Sequence, residues 1–129
     1  MSAELVRLRD VWVHYDQVPV LESIDLVVEE NDFLAVIGPN GGGKTTLLKL
    51  ILGLVQPTRG EILVCGRSPE EGRCSVGYLA QQPPFDAQFP IHVFDVVLMG
   101  RYRGLFRRYK KEDRRAAEEA LERVGMLPF

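Results

Sequence analysis

Gly38-Pro39-Asn40-Gly41-Gly42-Gly43-Lys44-Thr45 is the stretch of this 129-residue chain whose residue types and spacing could do chemistry. It fits the pattern G-x-x-x-x-G-K-T, and each position has a physical use. Glycines let a backbone curl into a nest whose N–H groups converge on phosphate oxygens. A helix predicted to start at Gly43 adds the positive end of its dipole. Lys44 supplies a point charge for the outer phosphates, and the Thr45 hydroxyl is small enough to ligate Mg²⁺ beside them. The chemistry is the holding of a nucleoside triphosphate with Mg²⁺. Gly38, Pro39, Asn40, Gly41, Gly42, Gly43, Lys44, Thr45 and Thr46 are the candidate binding residues. The plain alternative is a glycine-rich loop that happens to precede a helix. With glycine at about 7% of residues, a chance match is on the order of one in a hundred.

Such a loop needs a strand running in and a helix running out. "FLAVI" is a short apolar run that predicts a central strand covered on both faces, and "KTTLLKLILGLV" predicts a helix apolar almost all round. Gly53 and Pro57 end that helix, after which "EILVCG" and "SVGYLA" predict two more strands. Before the loop, "LVRLRDVWVHY" alternates apolar and polar residues with a break at Asp10, a half-buried strand with a bulge. "VLESIDLVVEE" repeats the alternation, with Ile24, Leu26 and Val28 on one face and Ser23, Asp25 and Glu29 on the other. "HYDQVP" between them has turn chemistry, so an antiparallel pair is expected, followed by a turn in which Asn31 tolerates a left-handed conformation. Downstream, Pro83, Pro84 and Pro90 preclude regular structure, and "HVFDVVLMG" predicts a short helix. "KEDRRAAEEALERVG" predicts a surface helix with Ala117, Leu121 and Val124 on one stripe and Gly125 as its stop.

Composition bounds the partners. At 46% hydrophobic and 26% charged the chain has the make-up of a globular domain, and a net charge of −2 provides no basic field for nucleic acid. "MSAELVRLRD" has charges where a signal peptide needs an apolar stretch, and no apolar run approaches the ~18 residues of a membrane span. A cytosolic protein with Cys65 and Cys74 unpaired is expected.

The loop alone does not choose among kinases, GTPases and ATPases. The succession "VHYDQVPVLESIDLVVEENDFLAVIGPNGGGKTTLLKLILGLVQPTRGEILVCG…VGYLAQ" resembles the ATP-binding subunit of ABC transporters over essentially the whole chain. The tail "FPIHVFDVVLMGRYRGLFRRYKKEDRRAAEEALERVGM" looks like the importer branch that handles manganese and zinc ions. The resemblance implies an α/β fold: a P-loop NTPase core with an N-terminal antiparallel β subdomain, reaching only as far as the segment before the signature motif. Residues 1–32 would be the antiparallel part, 33–82 the P-loop core to the Q-loop, and 83–129 the start of the helical subdomain. It also implies ATP and Mg²⁺ as ligands, Tyr15 stacking on adenine, and Gln81 reaching both Mg²⁺ and the attacking water. An amide in a proline-bounded loop can do both, since it donates and accepts. Gln81 is separated from the adjacent Gln82 by register alone. The implied partners are a membrane permease subunit and a second ATP-binding subunit, at the inner face of the cell membrane. Two features depart from the family's habit: Asn31 stands where glycine is common, and Arg101, Arg103, Arg107, Arg108, Lys110 and Lys111 form an unusually dense basic run.

Hydrolysis needs an acidic residue that holds Mg²⁺ and a group that orients the water. No run of four apolar residues followed by Asp-Glu stands after the loop, and His14 and His92 both precede the place of the family's switch histidine. The 129 residues are therefore expected to correspond to roughly the first half of such a subunit: an ABC-type ATPase when the domain is complete, without turnover alone. The alternatives are a nucleotide-binding module without hydrolysis and an ABC-type ATPase not tied to transport.

Overall fold

The alternation in the first thirty residues becomes two long strands. In the computed structural model, which describes residues 3–81, 90–102 and 108–126, β1 (Glu4–Tyr15) pairs antiparallel with β2 (Val18–Glu29). Asp16 and Gln17 join them at φ 46° and 68°, the doubly left-handed two-residue turn that matches the twist of paired strands. β3 (Arg59–Val64) lies on the other edge of β1, giving the order β2-β1-β3, all antiparallel. Asn31 is left-handed at φ 69°, as its turn requires.

The break at Asp10 is a bulge, with the register shifting between Leu8 and Val11 against β2. Asp10 sits at φ 44°, and its side chain holds the kink in place. The Trp12 indole N–H donates to its carboxylate at 2.7 Å and the Ser23 hydroxyl at 3.1 Å, while the Arg59 guanidinium pairs with it at 2.8 Å. These partners hold the Asp10 carboxyl below its ordinary pKa, Trp12 contributing most. Only glycine fits at position 60, where a Cβ would lie 2.2 Å from the Asp10 carbonyl oxygen.

One face of this sheet is the core. Leu8, Val11, Val13, Leu21, Ile62 and Val64 meet Leu47 and Leu50 of α1 (Lys44–Ile51). The helix does not bury itself all round, as its apolar sequence suggests. It meets the sheet with one stripe only, and Leu48 is 44% exposed. After β3 come α2 (Pro69–Gly72) and a single 3₁₀ turn, Arg73–Ser75.

The two short apolar runs do not form strands. Residues 33–37 and 76–80 have no ladder partner among the described residues, and Phe33 and Ile37 are 98% and 90% exposed. A strand exists only as a pairing. β1 is already paired on both edges, and neither run pairs with the outer edge of β2 or of β3 among the described residues.

The chain divides into two compact units, Met1–Ala80 and Gln81–Phe129. In the second, α3 (Val93–Met99) packs on α4 (Lys111–Arg123) through Leu98, Ala117 and Leu121. Asp113 fixes the start of α4: it accepts the Lys110 backbone N–H at 2.9 Å and the Arg101 guanidinium at 3.1 Å. Val124 was expected on the buried stripe but is 68% exposed, because the helix ends at Arg123 and Val124 leaves helical phase. Gly125, at φ 67°, is the stop. Of the basic run, Arg101 is engaged with Asp113, while Arg108, Lys110 and Lys111 are exposed. Arg103 and Arg107 lie outside the described residues, as do Gln82, Pro83, Pro84 and Asp86. No helix among the described residues is long and apolar enough to cross a membrane.

Candidate functional site: a phosphate-binding loop

The glycines of the loop are where the backbone needs them. Gly41 and Gly43 are both at φ 80°, a conformation costly for residues with a Cβ. The Gly42 N–H donates to the Pro39 carbonyl at 3.1 Å and closes a tight turn. A Cβ at Gly42 would stand 3.0 Å from that same carbonyl oxygen. Gly43 is the N-cap of α1, its carbonyl accepting the first helical bond from Leu47 at 2.9 Å. It is buried against β2, where a Cβ would lie 2.7 Å from Leu21 Cδ2 and 2.9 Å from the Val20 carbonyl oxygen. The contact falls at a register shift: Val13 faces Leu21 and His14 faces Pro19, so Val20 is the extra residue. The bulge lets the loop approach the sheet here.

Lys44 folds across the loop. Its Nζ donates to the Gly38 carbonyl at 2.7 Å and to the Pro39 carbonyl at 2.5 Å. An ammonium has three donors, so one remains. The first turn of α1 carries no acidic residue, so nothing there offsets the positive end of the helix dipole. Thr45 is exposed and Thr46 half-buried in the same turn. A cleft of about 150 Å³ runs beside the loop, lined by Leu21, Ile24, Val36, Gly42, Gly43 and Lys44 among others. Backbone donors at a helix start, a lysine ammonium and an exposed hydroxyl together make an anion cradle.

Tyr15 closes β1 and is 46% exposed. It follows directly on His14 and Val13, the residues across the ladder from the β2 segment that Gly43 touches. Gln81 is exposed and is the first residue of the second unit. Asp95 is exposed in the first turn of α3. Cys65 and Cys74 are exposed and unbridged.

Sequence reasoning missed a layered group on the sheet. Trp12 and His14 stack with ring centroids 6.2 Å apart and planes 2° from parallel, and the Arg59 guanidinium lies 6.0 Å from the Trp12 ring centroid. His14 Nδ1 is 3.0 Å from the Thr58 hydroxyl. Period-two alternation places Trp12 and His14 on one face of β1, but nothing local brings Thr58 and Arg59 to them.

Comparison with known proteins follows the same lines. A family described as ABC transporter matches residues 21–129. The manganese transport system ATP-binding protein MntB of Bacillus subtilis is 46% identical over 126 residues, covering 96% of this chain and 50% of its own length. The zinc transport system ATP-binding protein TroB of Treponema pallidum is 44% identical over 130 residues, covering 99% of this chain and 49% of its own. Among solved structures, a dimeric ATP-binding cassette in a post-hydrolysis state with ADP and Pi bound superposes with a TM-score of 0.71 at 26% identity. It covers 94% of this chain and 57% of its own. The chain spans about half the length of the curated relatives it matches.

Proposed function

Because the chain belongs to the ABC transporter family, we propose that it holds MgATP for a transporter that couples ATP hydrolysis to import of a metal cation, manganese or zinc. The observation that carries the nucleotide part is Lys44 bridging the Gly38 and Pro39 carbonyls above the start of α1. That arrangement sets an ammonium with a spare donor beside the free N–H groups of a helix N-terminus. Gly38 to Thr46 hold the phosphates and Tyr15 supplies a face for the base. The exposed Thr45 hydroxyl is a hard oxygen ligand fit for Mg²⁺, and the amide oxygen of exposed Gln81 is of the same ligand class. Mg²⁺ would supply neutralisation of phosphate charge there. The metal-cation cargo rests on the named functions of the two relatives. The partners are a membrane permease and a second ATP-binding subunit, which sets the protein at the inner face of the cell membrane. The dimeric solved cassette supports the second subunit.

The cradle by itself binds ground and transition states alike, and uniform binding lowers no chemical barrier. The residues present therefore bind nucleotide, while turnover needs groups that this stretch does not carry.

Uptake of radiolabelled Mn²⁺ and Zn²⁺ by cells tests the transport reading. Loss of the protein should lower uptake of one of them, and a Lys44→Ala copy should fail to restore it. Unchanged uptake of both ions, or full restoration by Lys44→Ala, would contradict the reading.

A further inference from the structure

We infer that Thr58 is a positioning residue for nucleotide binding: its hydroxyl, through His14, holds the end of β1 that carries Tyr15. The inference rests on Tyr15 being the face on which the base stacks.

The end of β1 has ladder support on one side only. Its ladder to β3 stops at Trp12, which faces Arg59, so His14 and Tyr15 have no partner on that side. On the other side Tyr15 faces Val18 across the two-residue turn, and His14 faces Pro19, which has no N–H to give. Thr58 supplies contacts on the side that β3 leaves open. Its backbone N–H and its hydroxyl both donate to the Trp12 carbonyl, at 2.8 and 3.0 Å. The same hydroxyl lies 3.0 Å from His14 Nδ1, and because a hydroxyl both donates and accepts, it tethers the ring in either tautomer. The ring is held on its face too, stacked on Trp12, which lies in turn beside Arg59. Tyr15 is the next residue along.

Thr58 also belongs to the chain that leaves α1, six residues after Leu52 caps it. One hydroxyl thus ties the segment after the phosphate-loop helix to the strand end that presents the base-stacking ring. Phosphate grip and base grip are set at a fixed spacing through it.

The test compares MgATP with inorganic tripolyphosphate, which has the phosphates and no base. Dissociation constants are measured for the unaltered chain, Thr58→Val, Thr58→Ser, Tyr15→Ala and the double variant Tyr15→Ala/Thr58→Val. Valine keeps the shape and the backbone N–H and removes the hydroxyl. Thr58→Val should weaken MgATP about fivefold, the weight of one hydrogen bond. It should leave tripolyphosphate unchanged, which also reports that the loop is intact. Thr58→Ser should restore MgATP binding, and the double variant should bind no more weakly than Tyr15→Ala. Equal loss of tripolyphosphate in Thr58→Val would show a general structural role and overturn the inference. So would full MgATP affinity in Thr58→Val alongside a loss in Tyr15→Ala. No loss in Tyr15→Ala would instead remove the base-stacking reading, and the inference with it.

Discussion

Gly43 packs against Leu21 so closely that a Cβ on it would lie 2.7 Å from Leu21 Cδ2. The phosphate loop is thereby built onto the hairpin rather than hung between elements. Gly38, by contrast, has open space where a Cβ would go. Gly43→Ala should therefore cost well over 1 kcal/mol, since alanine at φ 80° adds about 1–2 kcal/mol of strain before any clash. Gly38→Ala should stay within ~0.5 kcal/mol. Denaturant midpoints measure both, and equal midpoints would refute the close contact.

Tyr15 is half-exposed at a strand end, free to offer a ring face. Stacking on a π-face tolerates any base and is worth ~1–3 kcal/mol. Tyr15→Ala should weaken MgATP and MgGTP alike in a titration. A large loss for ATP with none for GTP would mean hydrogen-bond readout of the base.

The Asp10 bulge should make stability depend on acid pH. Its carboxyl is held below its ordinary value of 3.8 by the Trp12 indole first, then by Ser23 and Arg59. A lowered folded pKa contributes stability that is present above the unfolded value and lost as pH falls through the folded one. The melting temperature should therefore drop more steeply below pH ~4 in the unaltered chain than in Asp10→Asn. Parallel curves would mean that the carboxylate contributes nothing.

What could be read in the sequence was local. The phosphate loop follows from glycines whose backbone angles no other residue holds easily, so its residue types announce it. The hairpin follows from period-two alternation in β1 and β2, and the bulge from the polar residue that interrupts it. Partners distant in sequence were not legible. The apolar run at 33–37 looks like a central strand, but apolarity does not say what it pairs with, and the structure leaves it exposed. The bond from His14 to Thr58 spans 44 residues and has no signature in either segment.

On the proposed reading the loop grips phosphates and leaves hydrolysis to further groups. Rate in phosphoryl transfer comes from positioned water and balanced charge. Gln81 is the candidate for positioning water, and an amide is too weak a base to act alone. ATP turnover by the 129 residues should be no higher than that of their Lys44→Ala variant, even at high protein concentration. Turnover that needs Lys44 would mean that a carboxylate supplies the missing group, Asp86 and Asp95 being the nearest in sequence to Gln81.

The central claim is that Lys44 and the loop around it grip the phosphates of a nucleotide. Calorimetric titration of the chain with MgATP, set beside Lys44→Ala, tests it most directly. The account predicts saturable binding at one site per chain. It also predicts a rise in melting temperature, since ligand at 100 times its dissociation constant stabilises a fold by ~2.7 kcal/mol. Both should vanish in Lys44→Ala. Binding of equal strength in that variant would remove Lys44 from the site and the account with it.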